Sequence, residues 1–308
     1  MTSPTKALFP LWRGEDAFAP KLDALDAAML ADYPGLATAI NYTPFALFEA
    51  AQSAQPPMLG YSRVTHSLRT IAEHVPESLR SPWLCMLLVW HLRQFPSRFP
   101  ATGLDQEFTE HYADCYNRII DQIRADPGFA VLGSDSFMKD LGLARLSIIP
   151  AVAQLLYPHA GLSLKPVVRG GPRLWSYVWG RCGGRAPMIE IHTHGPMAST
   201  YFNASGWEET YRLTALAMRS LPAARALVGL SWFYDPQLST VSPRLNFLRT
   251  SPLAQGARLI RIGTFPDTIV NATATSKSRR ELYEAGEYTP VAHALVWSRK
   301  DMVRSYGA

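Results

Sequence analysis

Helical periodicity runs from Asp16 to about Pro158 and then gives way to alternating strand and helix patterns; this change of texture constrains the fold more than any motif does. In the first part, Phe18, Leu22, Leu25, Ala28 and Leu30 approximate one face of a helix that stops before the Tyr33-Pro34-Gly35 turn. Further helices are predicted over Leu36 to about Ser53, Val64 to His74, Ser81 to Phe95 and Leu104 to about Arg124, with Leu141 to Tyr157 broken at Pro150. In the second part, the Gly-rich stretch Lys165 to Pro187 alternates apolar residues such as Tyr177 and Trp179, which predicts short strands. Strands are then expected at Met188 to His192, Ala226 to Tyr234, Ala257 to Gly263 and Val291 to Ser298. Helices between them are expected at Gly206 to Ser220, Pro243 to Leu253 and Thr275 to Ala285.

The expected fold class is therefore α/β in the α+β sense: a helical domain over 1–160, packed on a mixed α/β domain over 161–308. A chain of 308 residues is long for one compact core, and 47% hydrophobic with 18% charged residues is ordinary for a globular protein. The net charge of +5 comes without a Lys/Arg block, which argues against nucleic acid as a partner and leaves a small-molecule substrate. The longest apolar run, Trp83 to Trp90, falls short of the roughly 18 residues that span a bilayer, so no membrane partner is expected. The N-terminal residues lack the basic and apolar regions of a secretory signal. Cys85, Cys115 and Cys182 are odd in number and widely spaced, which suggests neither a disulfide framework nor a thiolate metal site; a cytoplasmic location is the expectation. Oligomeric state is not legible.

The order of elements after Met188 carries the most specific signal. ALVGLSWFY ends at Asp235-Pro236, LSTVSPRL follows and opens a helix, AQGARLIRIG reads as a strand, and SRRELYEAGEY as a late helix. This order resembles the C-terminal half of the GNAT acyltransferase fold over Leu227 to Lys300. In that family the strand before the cofactor loop splays from its neighbour, and loop amides at a helix N-terminus hold a pyrophosphate. The resemblance implies an acyl-CoA or acyl carrier thioester as co-substrate, contacted by Tyr234, Ser239, Thr240, Ser242 and Arg244. Ser242 would be the N-cap and Arg244 would lie in the first turn. It also implies Tyr283 as a general acid that returns a proton to the departing thiolate. One departure stands out: Ser239 to Arg244 contains no glycine, the residue that lets backbone approach a pyrophosphate closely.

Other motifs point elsewhere. In IEIHTHGP, His192 and His194 are two apart and face the same way on a strand, as does Glu190; they suit an acid/base pair or two metal ligands with Glu190 as a third. Glu107, Glu110, His111 and Asp114 share one helix face without the Glu-x-x-His pair of a di-iron site, so a solvated face is expected. There is no G-x-S-x-G, and the glycines of 170–184 match no nucleotide-binding pattern. Arginines flank Cys182, but no base is assignable to it. Three functions remain open. The first is transfer of an acyl group to an amine with His192 or His194 as base, and the second is metal-dependent chemistry at Glu190, His192 and His194 with no metal predicted for the first. The third is a non-catalytic binding protein built on a degenerate acyltransferase domain.

Overall fold

The computed structural model describes residues 18–53, 61–152, 154–193 and 200–307. The chain divides into two compact units, Met1–Pro150 and Ala151–Ala308. The first is helical: α1 (Ala19–Asp32), α2 (Leu36–Tyr42), α3 (Phe45–Ser53), α4 (Tyr61–Ala72), α5 (Arg80–Arg93), α6 (Phe95–Arg98), α7 (Phe108–Ala125) and α8 (Asp135–Ala144). Pro44 separates α2 from α3, since it has no N–H to continue a helix and holds Thr43 out of the helical region at φ −127° and ψ 73°. The apolar run at Trp83 explains α5, whose Trp83, Cys85, Leu87, Leu88 and Val89 are buried on all sides. The stripe predicted for α7 is its buried face, with Phe108, Tyr112, Cys115, Ile119 and Ile123 inside.

The second unit is built on a six-stranded sheet of order β1-β2-β3-β4-β6-β5. In chain order the strands and helices are β1 (Ile149–Ala151), β2 (Gln154–Ala160), α9 (Leu164–Arg169), α10 (Pro172–Arg181), β3 (Met188–Thr193) and α11 (Ala204–Ser220). Then come β4 (Ala226–Ser231), α12 (Leu238–Val241), α13 (Phe247–Ala254), β5 (Arg258–Gly263), α14 (Pro266–Thr273), α15 (Lys277–Glu284), β6 (Ala292–Ser298) and α16 (Arg299–Ser305). One face of the sheet packs Met188, Ala226, Val228, Ile260, Ala294 and Val296 against Val167, Val178 and Cys182 of the α9/α10 segment. On the other face, Tyr211 of α11 meets Trp297 edge to face at 5.4 Å. β3 and β4 run parallel and are joined by the crossover helix α11, while β2–β3, β4–β6 and β5–β6 are antiparallel.

Three stretches differ from the sequence reading. Lys165 to Pro187 forms helices, not strands: Gly171 turns at φ 85°, Pro172 opens α10, and Trp175 meets Trp179 one turn later, the rings tilted at 53° with centroids 4.8 Å apart. Leu141 to Tyr157 is not a broken helix. Leu146 takes φ 61°, the amides of Ser147 and Ile148 both donate to the Gly142 carbonyl, and the chain then enters β1 and β2. The strand from Ala226 ends at Ser231, where the Ser231 hydroxyl accepts the Phe233 N–H at 3.1 Å and starts a 3-10 turn over Trp232–Tyr234.

Candidate functional site

The parallel pair β3/β4 comes apart at one end. Its register runs Ile189–Leu227, Glu190–Val228 and Ile191–Gly229 and stops there. Among the described residues, β3 continues to Thr193 paired only with β2, and β4 continues to Ser231 paired only with β6. Inner edges of two strands therefore face each other without a ladder, and α11 runs back from this end of β3 toward the start of β4. A crevice beyond the carboxyl ends of parallel strands is where ligands bind in open α/β sheets. On its β3 side the strand from Ala226, for which a splay is expected, loses its ladder after Gly229. The crossover helix that belongs to it precedes β4, whereas the resemblance put the helix after.

Alternation along β3 sends Ile189 and Ile191 to the α11 face and Glu190 and His192 to the other. His192 Nε2 lies 3.1 Å from Glu190 Oε1, and both side chains are about a third exposed, at 38% and 30%. The Tyr157 ring on β2 sits 4.4 Å from the imidazole, centroid to centroid. Burial, with the Glu190 carboxylate adding to it, pushes the Tyr157 phenol well above its ordinary range, so it stays protonated. Leu230, half exposed, follows Gly229 at the parting of the strands. The cluster of carboxylate, imidazole and phenol is thus open to solvent on one side and backed by the sheet. An imidazole held by a carboxylate in this way can move a proton, with Glu190 orienting the ring of His192. Sequence reading reached Glu190 and His192 through their spacing. Tyr157 was out of its reach, because the signal is a strand pairing across more than thirty residues, Tyr157 with Glu190.

The loop after β4 is organised for itself. The buried Asp235 carboxylate accepts the Gln237 and Val291 N–H groups, each at 3.0 Å. The amides of Val241, Ser242 and Leu245 donate to Gln237, Leu238 and Ser242 carbonyls, so they are not directed at an anion. Ser242 caps nothing: its hydroxyl accepts from Arg279 Nη1 at 3.1 Å. Arg279, 2% exposed, also donates to Ala272 O at 2.6 Å and lies over the Trp232 ring at 4.7 Å. Ser239, whose hydroxyl donates to Pro236 O at 2.8 Å, and Thr240 and Arg244 are exposed. Tyr234 is buried against Gly229, with its hydroxyl on that of Tyr211. The phosphate-holding geometry expected at Ser239 to Arg244, with Tyr234 beside it, is therefore replaced by a self-bonded turn pinned by Arg279. Tyr283 is 36% exposed on α15, and among the described residues no hydrogen bond, ion pair or ring contact joins it to His192.

His194 lies outside the described residues, so of the expected ligand triplet the structure brings together Glu190 and His192. Among the described residues no group of three or more His, Cys, Asp or Glu is arranged to hold a metal ion. Burial pushes the thiols of Cys85, Cys115 and Cys182 up to about 12, which removes them as nucleophiles at neutral pH. Asp114, on the polar face of α7, is half-buried with its carboxyl raised, chiefly by that burial. No described helix is long and apolar enough to cross a membrane.

No family model and no curated protein matches the chain. Among solved structures it is similar in fold to an acyltransferase in complex with CoA and 10C-teicoplanin, at 15% identity and a TM-score of 0.50, covering 96% of this chain and 91% of that one. The same identity, TM-score and coverage relate it to an acyltransferase in complex with decanoyl-CoA and teicoplanin, and to an acyltransferase mutant in complex with octanoyl-CoA. At that identity the likeness is one of fold, and it extends over nearly the whole chain.

Proposed function

We propose that the chain is an acyltransferase that moves an acyl group from a CoA or carrier-protein thioester to an amine. The observation that carries this reading is the parting of β3 and β4 beyond Ile191–Gly229, with the Glu190–His192 pair on the strand that runs into it. Unpaired strand edges suit an extended arm that carries its own amides, as a thioester's pantetheine does, since such an arm adds to a sheet edge like another strand. With Nε2 held by Glu190, His192 takes the proton of the attacking amine through Nδ1. The amine nitrogen bonds to the thioester carbonyl, the carbon–sulfur bond then breaks, and the thiolate leaves with a proton. Tyr283 is kept as the donor of that proton, and the loop over 235–246 is given no part in holding phosphate. The likeness in fold to acyltransferases supports the reaction class and leaves the acyl group and the amine open.

Thermal melting of the full chain with octanoyl- and decanoyl-CoA tests it, with the free fatty acids as controls. The thioesters are expected to raise Tm and the fatty acids to leave it unchanged. Thiol release in the presence of an amine acceptor is expected to fall by about a hundredfold or more in His192→Ala, without loss of the Tm shift. Tyr283→Phe is expected to slow the same release. Absence of any shift with the thioesters would remove the reading.

A further inference from the structure

The sheet has a second concave end. Where β4 begins and β6 finishes, a cavity of about 500 Å³ is lined by Arg181, Arg225, Arg299, Lys300 and Arg304. It is separated from the Glu190–His192 end by the length of β4, about 16 Å for the rise from Ala226 to Ser231. None of the described residues lining the cavity is acidic, and Asp301 lies behind two of them. Its buried carboxylate accepts from the Ser298 hydroxyl at 2.7 Å and from Arg304 at 3.0 Å, and lies 3.7 Å from Arg181. One carboxylate thus aims two of five cations and neutralises at most one.

The other cations are fixed by the backbone. The Arg299 N–H donates to Arg225 O at 2.9 Å, which brings those two residues side by side at the adjoining strand ends. The Arg299 guanidinium donates to Leu221 O at 2.9 Å and Ala224 O at 3.4 Å, so it is anchored in the wall. Burial, and then the neighbouring Arg225, lower the pKa of Arg299, a sign that the convergence of charge is unfavourable as it stands. Uncompensated cations converging on a concave site are relieved by a ligand with several negative charges in a small volume. A nucleic-acid strand or an acidic protein would be met by an extended stripe, whereas a cavity of this size is that of a small molecule.

We propose that this cavity is a second binding site, taking a small molecule that carries a di- or triphosphate. Arg225, Arg299 and Lys300 contact the phosphate oxygens, and Arg181 and Arg304 are held toward them by Asp301. The site stands independently of the acyl-transfer reading, since none of its residues belongs to the β3/β4 opening.

The test is titration of the full chain with inorganic tripolyphosphate at low ionic strength, followed by calorimetry and by melting, with sodium sulfate at matched ionic strength as control. Tripolyphosphate is expected to bind and raise Tm where sulfate does not. Arg225→Ala and Lys300→Ala, both at exposed positions, are each expected to weaken binding about tenfold, the loss of one charge-assisted contact. Binding is expected to survive saturation with decanoyl-pantetheine, a thioester that carries no phosphate and so can fill only the β3/β4 opening. No binding, an equal response to sulfate, full binding in the Arg225→Ala/Lys300→Ala double variant, or displacement by decanoyl-pantetheine would each overturn the proposal.

Discussion

Replacing Gly229 by alanine probes the point where β3 and β4 part. A Cβ added there would lie 2.5 Å from Tyr234 Oη, 3.0 Å from Tyr234 Cε2 and 3.1 Å from Ile191 Cγ1. The tyrosine cannot swing aside cheaply. It is buried, and its hydroxyl is bonded to that of Tyr211, which itself donates to Leu248 O and accepts from Trp207 Nε1, both at 3.0 Å. Overpacking of this kind costs about 1–3 kcal/mol. Displacing the Tyr234 hydroxyl adds about 1 kcal/mol for a buried hydrogen bond, and the alanine recovers about 0.5 kcal/mol of strand preference. Gly229→Ala is therefore expected to destabilise by about 1.5–3.5 kcal/mol, read as a lower urea midpoint at unchanged slope. Tyr234→Phe removes the closest atom, so the double variant is expected to be more stable than the sum of the single costs, by about 1 kcal/mol. Wild-type stability in Gly229→Ala, or strict additivity in the cycle, would refute the packing that closes the ladder at Gly229.

Arg279→Met deletes donors to Ala272 O and Ser242 and the cation over Trp232, and is expected to cost about 2–4 kcal/mol, against about 1 kcal/mol for Ser242→Ala. Equal costs in urea unfolding would contradict the assignment of Arg279 as the pin of that loop. In the helical unit, burial, then Arg145 and Arg98, lower the His91 pKa from 6.5 to about 2. The folded state thus binds fewer protons than the unfolded chain between those values, and the stability held above pH 6.5 is lost as pH falls through that window. The slope is about 1.4 kcal/mol per pH unit, or about 2 kcal/mol by pH 5. His91→Gln is expected to flatten urea midpoints over that range, and parallel curves for variant and wild type would contradict it.

Two kinds of element are legible in the sequence: those whose periodicity is set by one buried face, and short apolar strands such as β6, which is buried at every position. MIEIH alternates because β3 is backed on one side by α11, and the stripe of α7 is read at helical spacing for the same reason. The second kind misleads where no turn signal bounds the run. Leu155, Leu156 and Tyr157 read as the tail of a helix because β2 is covered on both faces at Leu155 and Leu156, so its pattern carries no alternation. Leu174 to Trp179 mimics a strand because Trp175, Tyr177 and Trp179 fall two apart. The same spacing serves a helix in which Trp175 and Trp179 pack against each other while Tyr177 reaches the sheet, its hydroxyl accepting the Ser298 N–H at 3.0 Å.

The site shows the same limit at longer range. Glu190 and His192 are legible because i, i+2 is a local relation on any strand. Tyr157 is not, since it depends on which strand lies beside β3. Nor is Arg279, whose reach to Ser242 spans thirty-seven residues and turns an apparent helix cap into the acceptor of a buried guanidinium. Order along the chain placed the ligand loop after Ala226–Tyr234; the pairing of strands shows the opening between that strand and the one before it.

The most direct test of this account is hydrogen–deuterium exchange of the full chain with and without saturating decanoyl-CoA. The account predicts that protection appears on peptides covering Met188–Thr193 and Ala226–Ser231, at the unpaired edges beyond Ile191 and Gly229. Protection confined to residues 235–246, or none at all, would contradict it.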